Sequence, residues 1–393
     1  MKIRIVAALF ALAALGCNRD DRSSGGPSSA TRDSAGIRVI ENPRPAEGSR
    51  LAWRIGPGPV VSIGTRRGEG PYMLHQVWDA LKLRDGRIVV ANSGTNELRV
   101  FDPSGTWLET WAGQGEGPGE FFELAYIDHW PGDSIAAWWG PRRGISVFDS
   151  EGNFGRTFAL ERNRDDPMAL HVNPIAVRSD GSILVGHDPF SLDPVLVEVR
   201  GAEGQLLSSL GEHPGRGEQS IFGASMPREP WGDLIVISPA DRYEIRAFSV
   251  DGTLARIVRW GQVPRSPTRE DVDAYIEERV SWYPPDLTPA EIAEYRTQKR
   301  KEWRSEPVAE HFPAFSSVIA DKLAHLWVEE YESVADDYPA RLWTVFDPEG
   351  GVLGYFETPK DWRIFEIGED YILVLVRGEL DVETVQVWPL ERS

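Results

Sequence analysis

Three observations predict an all-β chain built as a six-bladed β-propeller of four-stranded antiparallel blades. A hairpin signature recurs, a glycine-rich loop recurs at the same spacing, and six apolar runs follow at near-regular intervals. The hairpin is clearest at Phe101-Asp102-Pro103-Ser104-Gly105. Asp at the first turn position bonds its own backbone, Pro presets φ at the second, and Gly accepts a positive φ. Its flanks alternate: Leu98 and Val100 on one face and Arg99 on the other, then Trp107, Glu109 and Trp111. That is the period of a half-buried strand. The signature returns 47 residues later as Phe148-Asp149-Ser150-Glu151-Gly152, and again as Phe346-Asp347-Pro348-Glu349-Gly350. Weaker copies lie at Arg200 to Gly204 and Phe248 to Gly252. Gly68-Glu69-Gly70-Pro71 precedes Gly115-Glu116-Gly117-Pro118 by the same 47 residues. Two independent features sharing a period of this length, with four strands per unit, are the mark of a propeller.

The second strand of each unit counts the blades. The runs are Ile88 to Ala91, Ile135 to Trp138, Ile183 to Val185, Leu234 to Ile237, Leu326 to Val328 and Tyr371 to Leu375. One strand, Thr384 to Leu390, follows the sixth run, so the last blade lacks its outer strand. The segment Ile37 to Ile63 holds strand-like pieces (Ile37 to Ile40, Leu51 to Ile55, Val60 to Ile63) that belong to no earlier blade. One of them is expected to complete the last blade and close the ring, which removes open sheet edges.

The spacing between the fourth and fifth runs is close to two periods. Residues 265–310 account for it as a two-helix insertion between blades four and five. The first helix is expected from about Thr268 to Trp282, with Val272, Tyr275, Ile276 and Val280 at helical spacing. The second begins at Thr288-Pro289-Ala290-Glu291, with Thr as N-cap, Pro at the first helical position and Glu closing a capping box. Its end is basic (Arg296, Lys299, Arg300, Lys301, Arg304), which suits the negative C-terminus of a helix. In a propeller this connection lies on the channel-mouth face, so the insertion is a candidate lid or docking surface.

The start of the chain reads as an address. Lys2 and Arg4 precede an apolar run, Ile5 to Leu15, too short for an ordinary membrane span. Ala14-Leu15-Gly16-Cys17 resembles a bacterial lipobox, which implies a signal peptide over residues 1–17, cleavage before Cys17 and lipid attachment there. Cys17 is the chain's single cysteine, which excludes internal disulfides and Cys-based metal sites. Residues 18–35 are polar and rich in Ser and Gly and are expected to form a disordered tether, leaving 36–393 for the propeller. By likeness to proteobacterial lipoproteins, Asn18 after the cysteine points to the outer membrane, with the body on the periplasmic side of the cell envelope. With 61 acidic against 42 basic residues the chain is not built to neutralise nucleic-acid phosphates. The remaining expectation is a monomer held to the membrane through Cys17.

The turn, the GxGPGEF loop and the following DGxIxV strand resemble the NHL-type repeat. The whole chain from the lipobox onward is similar to bacterial six-bladed β-propeller lipoproteins. The resemblance implies the six-bladed fold and no agreed activity. Catalytic signatures are missing: no GxSxG, no HExxH and no P-loop. The loop Gly113 to Gly119 does not spell GxGxxG, and Glu116 would repel a phosphate; its role is to turn the chain into the next blade.

Two residue sets are singled out. His75, His171 and His311 fall 12 to 15 residues before the second-strand run of blades one, three and five, which places each at the entry to an innermost strand. Imidazole there could hold a divalent metal or act as acid or base, and in some NHL-type propeller enzymes channel-mouth histidines hold zinc. His129, His187, His213 and His325 fall outside this register. The second set is the rim, where Trp139, Arg142, Arg143 and Arg242 carry the residue types that dominate binding hot spots. The reading that follows is a binding or scaffolding module, not an enzyme and without cofactor, that takes a protein, peptide or small polar ligand at the channel mouth. The alternative is a metal-dependent hydrolase or lyase centred on the three histidines.

Overall fold

The computed structural model describes residues 29–68, 70–139, 144–160, 173–186, 194–214, 220–261 and 263–392. The N-terminal segment contributes β1 (Ala30–Ser34), β2 (Ile37–Glu41), β3 (Arg54–Ile55) and β4 (Val61–Ile63). Blade one is β5 (Val77–Lys82), β6 (Ile88–Asn92), β7 (Glu97–Phe101) and β8 (Trp107–Trp111). Blade two is β9 (Leu124–Trp130), β10 (Ser134–Trp139), β11 (Gly144–Phe148) and β12 (Phe154–Ala159). Blade three is β13 (Asn173–Val177), β14 (Ile183–Gly186), β15 (Val195–Arg200) and β16 (Leu206–His213). Blade four is β17 (Arg228–Trp231), β18 (Leu234–Ile237), β19 (Glu244–Phe248) and β20 (Leu254–Arg259). Helices α1 (Arg269–Ser281) and α2 (Pro289–Ser305) follow. Blade five is β21 (Phe315–Ala320), β22 (Leu326–Glu330), β23 (Ala340–Phe346) and β24 (Val352–Pro359). Blade six is β25 (Trp362–Ile367), β26 (Tyr371–Arg377) and β27 (Glu383–Glu391). All six apolar runs are second strands, and the architecture is the expected six-bladed propeller.

The repeated turns do what their residues dictate. Asp102 Oδ1 accepts the amides of Ser104 and Thr106, each at 2.8 Å, and Gly105 sits at φ 86°. The register slips at Phe101, so the type I turn is followed by a one-residue bulge. Asp149 and Asp347 repeat the arrangement. The glycine-rich loop is also structural. Glu120 accepts the Gly117 amide at 2.8 Å, and the loop delivers Phe121, fully buried, into the core between blades one and two. Its earlier copy is pinned by the buried Arg99, which donates to the carbonyls of Gly70, Pro71 and Met73.

Closure comes from the N-terminus, as the unpaired last blade requires. Strand β4 pairs with β27 through Ile63–Val385 and Val61–Val387, and β3 pairs with it through Ile55–Leu390. The third strand-like piece goes elsewhere. β2 runs parallel to β20 on the outside of blade four, and β1 extends that sheet to six strands. Residues 30–34, expected within the tether, are therefore strand. Ala35 and Gly36 both adopt positive φ (55° and 84°), the two-residue loop that folds a hairpin back tightly.

Between these strands the N-terminal segment crosses blade five. Asn42 donates to the Gly350 carbonyl and accepts the Val352 amide, and the Leu51 amide donates to Tyr355. Trp53 packs against Trp327 and Phe356. The segment is a strap over blades four, five and six. The core lies between neighbouring blades, with Trp260, Trp327 and Trp343 among its largest fully buried side chains.

Both helices start with complete capping boxes, at Thr268 with Asp271 and at Thr288 with Glu291. The predicted face of α1 packs on Ile221, Phe222 and Phe312. Helix α2 buries no residue; it rests on α1 through Trp303 against Tyr275 and through the Arg300–Glu277 ion pair. Its basic end is thus partly neutralised, with Lys299 held by Glu302 as well.

Candidate functional site

Second-to-third strand loops and blade-to-blade connections share one face. Asn96, in the β6–β7 loop, accepts the amide of Leu124 at the entry to β9, and the Ala240 carbonyl accepts the amide of Ala314 at the entry to β21. On this face the roots of the helical insertion, Val263-Pro264 and Phe312-Pro313, form a ridge between two clefts of about 860 and 920 Å³. Arg265 braces the ridge, paired with Asp271 and Asp336 and lying 4.3 Å from the Phe312 ring centroid.

The first cleft is polar at its rim, lined by Ser238, Asp241, Arg242, Arg246, Glu310 and His311. Arg242 is exposed and paired with its neighbour Asp241 at 2.9 Å; Arg246 is held by Glu244 at 2.7 Å. His311 Nδ1 lies 3.2 Å from the Ser266 hydroxyl. The second cleft is aromatic, with Tyr243, Tyr331, Tyr338 and Tyr355 around Arg44 and Glu330. Arg44 comes from the strap. It donates to Tyr355 at 3.0 Å and Glu330 at 3.1 Å and lies 4.5 Å from the Tyr243 ring centroid. The Glu330 side chain is 8% exposed and also accepts from Trp260 and Thr344. Burial pushes its pKa up, against the pull of Thr344 and Arg44.

Two of the residues singled out from the sequence therefore meet, Arg242 and His311, at one cleft. His75 lines neither cleft; its backbone is tied to Asn92 and Gly94 within blade one. His171, Arg142, Arg143 and Cys17 lie outside the described residues, as does the side chain of Trp139. Its neighbour Trp138 is core, 5% exposed and stacked on Tyr126 at 5.9 Å. Among the described residues no three His, Cys, Asp or Glu are placed to hold a metal ion.

The central channel holds groups that the histidine register passed over. Asp79 accepts the amide of Ile127 in blade two, Asp128 that of Val177 in blade three, and Glu229 that of Ala320 in blade five. Each inner-strand carboxylate thus fastens one blade to the next. Burial pushes Asp79 and Glu229 up to about 8, with the charge of Asp128 adding to both, and burial raises Asp128 as well. Asp128 thus acts both on its neighbour in blade one and on Glu229 in blade four.

Farther along the channel His129 Nε2 lies 2.6 Å from Glu366, and Lys322 lies 2.9 Å from the same carboxylate, with the Tyr371 hydroxyl donating to it too. Burial alone would raise Glu366; His129 and Lys322 more than offset it and hold it at about 2. This knot ties blades two, five and six together across the end opposite the clefts. Toward the mouth, Trp78 and Tyr126 are exposed and meet edge to face at 5.8 Å, beside Arg363. A carboxylate inside an otherwise apolar innermost strand was the available signal for this set.

The ring of four-stranded sheets closed by β4 decides the comparison with known proteins. The fold is a six-bladed β-propeller. Residues 73–156 match the family model DUF5128, described as a six-bladed β-propeller. A Bacteroides fragilis protein whose name calls it exported superposes on the propeller with a TM-score of 0.50 at 11% identity, over 90% of this chain and 99% of that one. A DUF4221-family protein of Bacteroides vulgatus gives 0.49 at 9% identity, over 87% and 99%. A gluconolactonase of Xanthomonas campestris gives 0.42 at 13% identity, over 94% and 99%. No curated protein sequence matches the propeller.

Proposed function

We propose that the chain is an exported, lipid-anchored propeller that binds a protein, peptide or small polar ligand in the paired clefts at the foot of its helical insertion. The observation that carries this reading is the pair of adjoining clefts, 860 and 920 Å³, divided only by the insertion's roots. Each is of the size ordinarily used for small ligands. One offers charged side chains and the other aromatic faces, so an extended ligand crossing the ridge would meet both. Anchoring through Cys17 follows from the lipobox resemblance, and placement at the outer membrane from Asn18. Among the described residues the metal-dependent alternative has only His311 at the clefts.

The test is photocrosslinking in cell envelopes, with the crosslinker placed at Arg242, at Tyr338 and, as control, at Glu151 on the far face. Adducts confined to Arg242 and Tyr338 are expected. Adducts of equal strength at Glu151, or none at either cleft position, would defeat the reading.

A further inference from the structure

The chain leaves the propeller on the same face as the helical insertion. Strand β2 runs parallel to β20, and Glu41 pairs with Arg259 at the end where the chain departs for α1. Strand β1 runs back, so Ala30 pairs with Glu41 at that same end. Ser29 there bonds Asn42 at 2.6 Å, and the Asn42 amide donates to the Arg259 carbonyl at 2.7 Å. The segment toward Cys17 thus departs beside Arg259, which is six positions in sequence before Arg265 at the base of the insertion.

The loop joining the helices is exposed from Trp282 through Asp286. Trp282 is 75% exposed, a rare state for that residue, and Tyr283, with the Arg296 guanidinium 5.0 Å from its ring centroid, is 39% exposed. Tryptophan, tyrosine and a stacked arginine are the residue types that settle at the lipid headgroup boundary, where an amphipathic ring is solvated at one end only. Two prolines, Pro284 and Pro285, keep the loop out of the helices on either side.

From these placements we infer that the Trp282–Tyr283 tip rests in the bilayer surface, with the cleft face turned toward the membrane. The inference rests on anchoring at Cys17. From Cys17 to Ser29 the chain spans at most about 40 Å when fully extended. Helix α2, with 17 residues, is about 25 Å long. Routing the same span past blade four to the opposite face would use about 20 Å along β20 alone. The short span therefore favours the face from which it leaves. The chain's net charge of −19 gives it no overall attraction to anionic headgroups, so the aromatic tip supplies the contact.

With the thiol of Cys17 acylated, Tyr283→Cys is the only free thiol in the full-length chain. It is labelled with an environment-sensitive fluorophore and reconstituted in vesicles of phosphatidylethanolamine and phosphatidylglycerol. Quenching by spin-labelled lipid is compared with Glu151→Cys on the far face, and flotation with Cys17→Ser. Several-fold stronger quenching at 283 than at 151, unchanged by raised salt, is expected. Protein that floats through Cys17 yet quenches equally weakly at both positions overturns the tip contact and leaves the anchor intact. Wild-type protein that fails to float overturns the anchor, and this inference with it.

Discussion

Blades four to six carry an outer fastening that the described residues of blades one and two lack. The first group carries the strap: β2 lies on blade four, Asn42 to Trp53 cross blade five, and β3 and β4 complete blade six. Among the described residues, blades one and two have no such outer cover and depend on apolar contact between sheets and on the carboxylates of Asp79 and Asp128 at the channel. The lesson is that a ring can be secured from outside by a segment or from inside by side chains: this chain uses the inner device at Glu229 as well as at Asp79 and Asp128, and adds the outer one over blades four to six.

The sharpest way to break the comparison is to delete residues 1–63. Blade six then has three strands, β27 presents a bare edge, and the single cooperative thermal transition is expected to be lost; a surviving single transition would show that the strap is ornament. Next come matched core truncations, Trp327→Ala in the strapped half and Phe148→Ala in the other. Each is expected to cost about 3–5 kcal/mol in denaturant unfolding, and a much smaller cost at Trp327 would mean that the strap masks packing defects. Arg44→Ala removes the strap's charged bond to the nearly buried Glu330. A loss of about 1–3 kcal/mol is expected, with Trp260 fluorescence reporting the disturbed cleft.

The inner device has the opposite pH sense from an ordinary ion pair. Asp79 ionises near pH 8 in the fold and in the usual carboxylate range when unfolded, so the folded state holds the extra proton between the two. Stability from this group falls as pH rises from about 4 to about 8 and is level beyond. Asp79→Asn should therefore gain in melting temperature over wild type as pH rises across that window, and a difference independent of pH would refute the assignment. The smallest effect is expected at Thr268→Ala, about 1 kcal/mol, for the lost cap of α1. It should appear as faster hydrogen exchange in α1 with the blades unchanged.

The blades were legible because turns such as Asp102–Gly105 are local and repeat, and the helices because Thr268 and Thr288 announce their starts. The channel was not. Inner strands carry register shifts, between Val77 and Asp79, Pro174 and Ala176, Phe315 and Ser317, and Ile364 and Glu366. Each slip reverses which residues face the axis, so alternation counted along the chain gives the wrong side. Counting back 12 to 15 residues from the second strands, moreover, samples only the entries of the inner strands, so it selected His75 and passed over His129 near the far end of β9. The pairing of Arg242 with His311 at one cleft was likewise out of reach, since it depends on how the insertion's roots cross from blade four to blade five.

The closure of blade six also sets an order of events. Ser62 and Gln386 are neighbours in the fold and 324 positions apart in the chain. Whether the chain is being synthesised or threaded through a membrane, strand β4 must wait without a strand partner until β27 has arrived. The ring therefore cannot be completed in instalments. The interval before β27 emerges is when the chain is most open to mispairing, and losing β27 alone would leave that interval without an end.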